Sequence, residues 1–131
     1  MNAFRAAVEA GDHTAIEPLL APDAVFLSPV AYTPYRGRAM VAAILRGAGR
    51  VFQDFRYERE IASADGRDIA LVFRARVGDR DIHGCDFLTL DAAGLISELC
   101  VMVRPLSAAN ALSAAMAEQF EVIRREVADP A

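Results

Sequence analysis

From residue 54 to residue 104 the side chains alternate between apolar and polar, and three short turns interrupt the alternation. A period of two is the pattern of a strand with one face against a core. Residues 54–63 set Phe55, Tyr57 and Ile61 against Arg56, Glu58 and Glu60. Residues 68–77 set Leu71, Phe73, Ala75 and Val77 against Arg74 and Arg76. The turns "ADGR", "GDR" and "DAAG" lead into these strands and into two more, at 81–90 and 95–104. Hairpin chemistry at each turn makes the four segments an antiparallel meander.

Helical spacing brackets the meander. Phe4, Ala7 and Val8 recur at three and four residues over 2–10, Gly11 closes that helix, and Asp12 is placed to cap the next. Residues 13–20 continue as a short helix with Ile16, Leu19 and Leu20 on one side, which Pro18 makes short or irregular. A brief strand through Val25, Phe26 and Leu27 leads into a Pro-rich loop, and Met40, Val41, Ile44 and Leu45 form the stripe of a helix over 37–50. Leu112, Met116, Phe120, Ile123 and Val127 line a last helix over 107–127. Helices on one side of a meander define an α+β plan: a cone-shaped, curved antiparallel sheet closed by the N-terminal helices, with an additional C-terminal helix. With 131 residues, 54% of them hydrophobic, the chain can bury one core. We divide it into a cone domain at 1–106 and a helical extension of that domain at 107–131.

Asp86 breaks the pattern. It shares a strand face with Ile82, Gly84 and Leu88. An ionised carboxylate buried there costs several kcal/mol unless it is paired, protonated or facing a cavity. A curved sheet with helices over its mouth leaves such a cavity. Phe26, Phe52, Phe73, Leu88, Leu99, Val101 and Val103 are the expected apolar lining, with Asp86 and Tyr32 supplying polarity and Tyr57 placed to point inward. The alternative for Asp86 is an arginine partner or a buried backbone group. His83, at opposite parity, belongs on the outer face, and His13 is expected to be exposed.

Other chemistries have little support. The net charge of −4 argues against a nucleic-acid surface. One basic stretch, with Arg36, Arg38, Arg46 and Arg50, reads as a solvated helix face or as an attractor of anions. Six aspartates sit at turns, where turn chemistry explains them, and no metal cluster or other cofactor site is spelled out. Cys85 and Cys100 lack metal-ligand spacing and read as buried free thiols of a reducing compartment. No run reaches the roughly 18 apolar residues of a membrane span, and the N-terminus lacks a signal-peptide core. The expectation is a cytoplasmic protein. All 14 basic side chains are arginine in an alanine-rich chain, a composition of GC-rich bacterial genomes.

Three stretches resemble the nuclear transport factor 2-like superfamily, in its SnoaL-like and ketosteroid-isomerase-like branch. "EAGDHTAIEPLLAPDAVFLSP" is similar to the first helical segment, turn and strand; "YRGRAMVAAIL" to the Gly-led second helix; "IHGCDFLTLDAAGLISELCVMVRP" to the final hairpin. The resemblance spans most of residues 2–105 and stops before the last helix. It implies a cone with an apolar pocket, commonly in a homodimer that pairs through the outer sheet face. It does not imply one activity, because the superfamily holds isomerases, cyclases, epoxide hydrolases, dehydratases and non-catalytic binding subunits.

Ketosteroid isomerases use a carboxylate base with a tyrosine and a protonated aspartate that hold the enolate oxygen. Asp86 falls at the position of that aspartate. The base position falls on Ser28, the tyrosine on Phe4, and a supporting hydroxyl of the second helix on Leu45. Three polar roles are thus lost or weakened, which argues against steroid isomerisation and for the pocket alone. The reading is a protein that binds a small apolar molecule, with Asp86 available for acid–base work on a carbonyl or polyketide-like substrate. Its rivals are a binding subunit without chemistry and an interaction module built on the outer sheet face.

Overall fold

The computed structural model describes residues 3–128. The ends of the first helix and of the C-terminal extension expected at residues 2 and 129–131 lie outside the described residues. Helix α1 spans Ala3–Glu9. Gly11, at φ 67°, turns the chain out of it. The Gly11 and Asp12 amides donate to Val8 and Ala7 carbonyls at 3.0 and 2.9 Å, which satisfies the helix end. Asp12 does not cap the next segment; its carboxylate accepts from the Thr14 hydroxyl at 2.7 Å. That segment is two 3₁₀ turns, His13–Ala15 and Glu17–Leu19.

Strand β1 spans Leu20–Leu27, β2 is the short Tyr35–Arg36, and helix α2 runs Arg38–Val51. The meander follows as β3 (Gln53–Ala62), β4 (Asp68–Val77), β5 (Arg80–Leu90) and β6 (Ile96–Arg104). Helix α3 covers Leu106–Ala128. The six strands form one unclosed sheet in the order β2-β1-β6-β5-β4-β3. The meander is antiparallel throughout, but β1 lies parallel to β6, so the sheet is mixed. A parallel neighbour needs a long crossover, here everything between β1 and β6.

The β4–β5 hairpin keeps strict register from Asp68–Thr89 to Val77–Arg80. Register shifts interrupt β3 twice, β1 once and the β5–β6 pairing once. Such irregularities bend and twist strands, and they curve this sheet around its inner face. Leu71, Phe73, Ile82, Leu88 and Leu99 are buried on that face beneath Val41 and Ile44 of α2 and Leu112 and Ile123 of α3. Each contributes about 1.5–3 kcal/mol through burial.

Gly84 solves a packing problem within the sheet. It pairs with Phe73, whose ring lies so close that a Cβ at 84 would overlap it. The basic stretch of α2 mostly turns to protein. Arg46 and Arg50 reach Glu126 of α3 at 2.7 and 3.3 Å, and Arg38 donates to the Leu20 carbonyl at 2.9 Å. No helix of the described residues is long and apolar enough to cross a membrane.

Candidate active site

A cavity of about 360 Å³ lies between the inner face of the sheet and the helices. α1 supplies Phe4 and Val8, α2 supplies Ile44, Leu45 and Ala48, and α3 supplies Leu112, Met116 and Phe120. The sheet supplies Phe26, Phe55, Tyr57, Phe73, Asp86 and Val101. Helical spacing explains the contribution of the helices: four residues separate Phe4 from Val8, Ile44 from Ala48, and Leu112 from Met116 and then Phe120.

The polar centre is Asp86. Strand parity turns it inward, between Leu71 on β4 and Val101 on β6. It is 8% exposed. Tyr57 of β3 donates its hydroxyl hydrogen to Asp86 Oδ2 at 2.6 Å. Burial pushes the Asp86 carboxyl up to about 6, against the smaller downward pull of that hydrogen bond. Burial, and then the Asp86 charge, hold the Tyr57 hydroxyl well above its ordinary range, so Tyr57 is a fixed donor. With Tyr57 occupying Oδ2, an acidic proton on Asp86 is directed to Oδ1. The pair is walled by rings: Phe55 stacks on Phe73 at 4.8 Å and meets Tyr57 edge-on at 4.9 Å, and Phe52 meets Phe73 at 5.7 Å. Arg5 sits over the Tyr57 ring at 6.0 Å.

The structure brings Phe4, Phe26, Ser28, Leu45, Phe52, Tyr57, Phe73, Asp86 and Val101 together around one space. It leaves out four residues expected there. Tyr32 is fully exposed, because the chain rejoins the sheet only at Tyr35, which pairs with Phe26 and stacks on Phe120 at 5.4 Å. Tyr35, not Tyr32, lines the cavity. Leu88 and Leu99 face each other across β5–β6 and are packed into solid core. Val103, opposite Gly84, is half-buried outside the lining.

Ser28 is committed to its own loop, where its Oγ accepts from the Val30 and Ala31 amides at 3.1 Å each. His83 lies on the outer face, its Nε2 3.7 Å from Glu58. His13, expected to be exposed, is half-buried and lines the cavity. Sequence reasoning also missed Phe55 and the α3 residues. The period-two pattern already placed Phe55 on the face of Tyr57. Among the described residues no group of His, Cys, Asp and Glu could hold a metal ion.

A curved sheet closed by helices over an apolar cavity, with Asp86 the one buried acid among the described residues, defines the class: a cone-shaped α+β protein. Residues 1–99 match the SnoaL-like domain family. A crystal structure of a steroid delta-isomerase from Pseudomonas aeruginosa shares 42% identity, covering 91% of this chain and 87% of that one, with a TM-score of 0.87. An uncharacterised protein with a cystatin-like fold from Silicibacter pomeroyi shares 38%, covering 95% and 87%, with a TM-score of 0.88. An epoxide hydrolase/cyclase-like enzyme of pyran ring formation in salinomycin is 21% identical at a TM-score of 0.65, covering 79% and 86%, a likeness of fold alone. No curated protein matches. The chain belongs to the SnoaL-like domain family of the nuclear transport factor 2-like superfamily. The coverage of the first two structures leaves too little outside to omit the 23 residues of α3. At least part of the helix that closes the cavity is therefore matched in both.

Proposed function

We propose that this protein binds a small, largely apolar molecule in its cavity and carries out acid–base chemistry on an oxygen-bearing group of that molecule through Asp86. The observation that carries the proposal is the Tyr57–Asp86 hydrogen bond inside a cavity walled by aromatic rings. A carboxyl titrating at about 6 is populated near neutral pH in both forms. As an acid it donates from Oδ1 to a carbonyl oxygen while a solvent water takes the α-carbon proton, which leaves the enol and the Asp86 carboxylate. The carboxylate then takes back the enol O–H proton as the protonated water delivers its proton to the γ-carbon of a β,γ-unsaturated ketone. Carbonyl-containing compounds, such as enolisable ketones, are the substrate class this suits. The likeness to a steroid delta-isomerase at 42% identity supports the same reading.

The test is conversion of a β,γ-unsaturated ketone to its conjugated isomer, followed by absorbance. Wild-type turnover should fall by about a hundredfold or more in Asp86→Ala, with an unchanged circular dichroism spectrum. Equal turnover in both proteins would sink the catalytic role.

One observation favours a second reading, binding without chemistry. Ser28 stands where the related isomerases place their base, and both its contacts are to its own loop. Under that reading such ketones raise the melting temperature and are recovered unchanged.

We place the homodimer contact on the outer sheet face, where Phe87 and Met102 are 41% and 59% exposed beside the free thiols Cys85 and Cys100. Free thiols suit a reducing cytoplasm.

A further inference from the structure

His13 occupies a position that the Asp86 chemistry leaves unused. It lies on the 3₁₀ turn between α1 and β1 and lines the cavity at its rim, where Gly11, Gly49 and Ser113 are exposed. Its Nδ1 is enclosed by protein and has no hydrogen-bond partner. An enclosed N–H without an acceptor is the rarer kind of orphan, so the proton of the neutral ring sits on Nε2, which becomes a donor. The ring packs flush against Gly49 of α2. A Cβ there would come within 2.5 Å of Cε1 and 3.0 Å of Nε2, so a side chain at 49 would displace the imidazole.

We propose that His13 is a ligand-contacting specificity residue. Its Nε2–H donates to a second oxygen of the bound molecule, at the rim, while the first oxygen meets Asp86 on the sheet. The ligand class is therefore an apolar body with two separated oxygens, rather than a mono-oxygenated or purely hydrocarbon molecule. This rests on the cavity being the binding site.

The experiment is calorimetric binding of 2-naphthol, naphthalene-2,6-diol and naphthalene-2,7-diol. For wild type, at least one diol should bind about five- to tenfold tighter than 2-naphthol, the worth of one added hydrogen bond. His13→Phe should reduce that preference to the statistical factor of about two, with an unchanged circular dichroism spectrum and urea midpoint reporting an intact fold. Gly49→Ala, which displaces the ring without removing it, should also lower the preference, and His13→Gln should retain part of it. A wild type that binds 2-naphthol but shows no diol preference overturns the role of His13. So does a preference that survives His13→Phe. A wild type that binds none of the three overturns the cavity reading itself.

Discussion

Tyr57 reaches across strand β4 to Asp86, and the 2.6 Å hydrogen bond between them joins two strands that do not pair. Tyr57 pairs with Phe73, and Phe73 with Gly84. The Phe73 ring lies over Gly84, and the Tyr57 ring stands perpendicular to it at 6.4 Å. The glycine lets the phenylalanine lie down, and the phenylalanine leaves the tyrosine room to reach the acid.

Gly84→Ala tests this chain of contacts. The added methyl must move the Phe73 ring, which overpacks the core at a cost of about 1–3 kcal/mol. Urea unfolding should show that loss. The carboxyl of Asp86, followed by carbon-13 NMR, should shift as Tyr57 is displaced. An unchanged midpoint and an unchanged carboxyl signal would contradict the arrangement.

Asp86 makes stability depend on pH in the opposite sense to an ion-paired carboxylate. Its carboxyl titrates at about 6 in the folded protein against 3.8 in the reference state. The folded state therefore holds this proton more tightly. The favourable contribution is complete below about pH 4 and is lost as pH rises through 6, amounting to about 3 kcal/mol. Asp86→Asn cannot ionise. Its stability relative to wild type should rise by about that amount between pH 3.5 and pH 7.5, measured by urea unfolding at each pH. A difference that does not change with pH would exclude a buried, ionisable Asp86.

Tyr57→Phe removes the only side-chain hydrogen bond to Asp86 among the described residues, and that bond lowers the carboxyl pKa. The Asp86 titration should move above 6, and the protein should lose about 1.5–3 kcal/mol at pH 8, where the carboxylate is left without its donor. An NMR titration of the carboxyl carbon checks the direction. A downward shift would contradict it.

Helix α3 forms one wall of the cavity. Leu112→Ala should cost about 2–5 kcal/mol in unfolding free energy and enlarge the cavity. A loss below about 1 kcal/mol would mean that α3 is not packed on the domain.

The meander was legible because its alternation is strict: strand parity alone placed Asp86, Phe73 and Val101 on the inner face and His83 on the outer. The parallel pairing of β1 with β6 was not legible, because a strand's partner is set by the path of the intervening chain and not by its own eight residues. Tyr32 and His13 exchanged their expected places for a related reason. Both lie in short irregular segments with no periodicity, so only packing against β1 and α2 decides which side chain turns inward. Leu88 and Leu99 share the inward face of the true lining residues. Parity finds the face, but it does not say where along that face the core ends and the cavity begins.

On the proposed function, Asp86, held in place by Tyr57, binds a ligand oxygen inside the apolar cavity. The most direct measurement is the affinity of 2-naphthol, against naphthalene as its oxygen-free control, for wild type, Asp86→Ala and Tyr57→Phe. The account predicts that Asp86→Ala weakens 2-naphthol binding by about tenfold, for the loss of a hydrogen bond to a charged or acidic partner; that Tyr57→Phe, which leaves the carboxyl without its fixed donor, weakens it by a smaller factor; and that both leave naphthalene binding within about twofold. Equal effects on the two probes, or none on 2-naphthol, would contradict it.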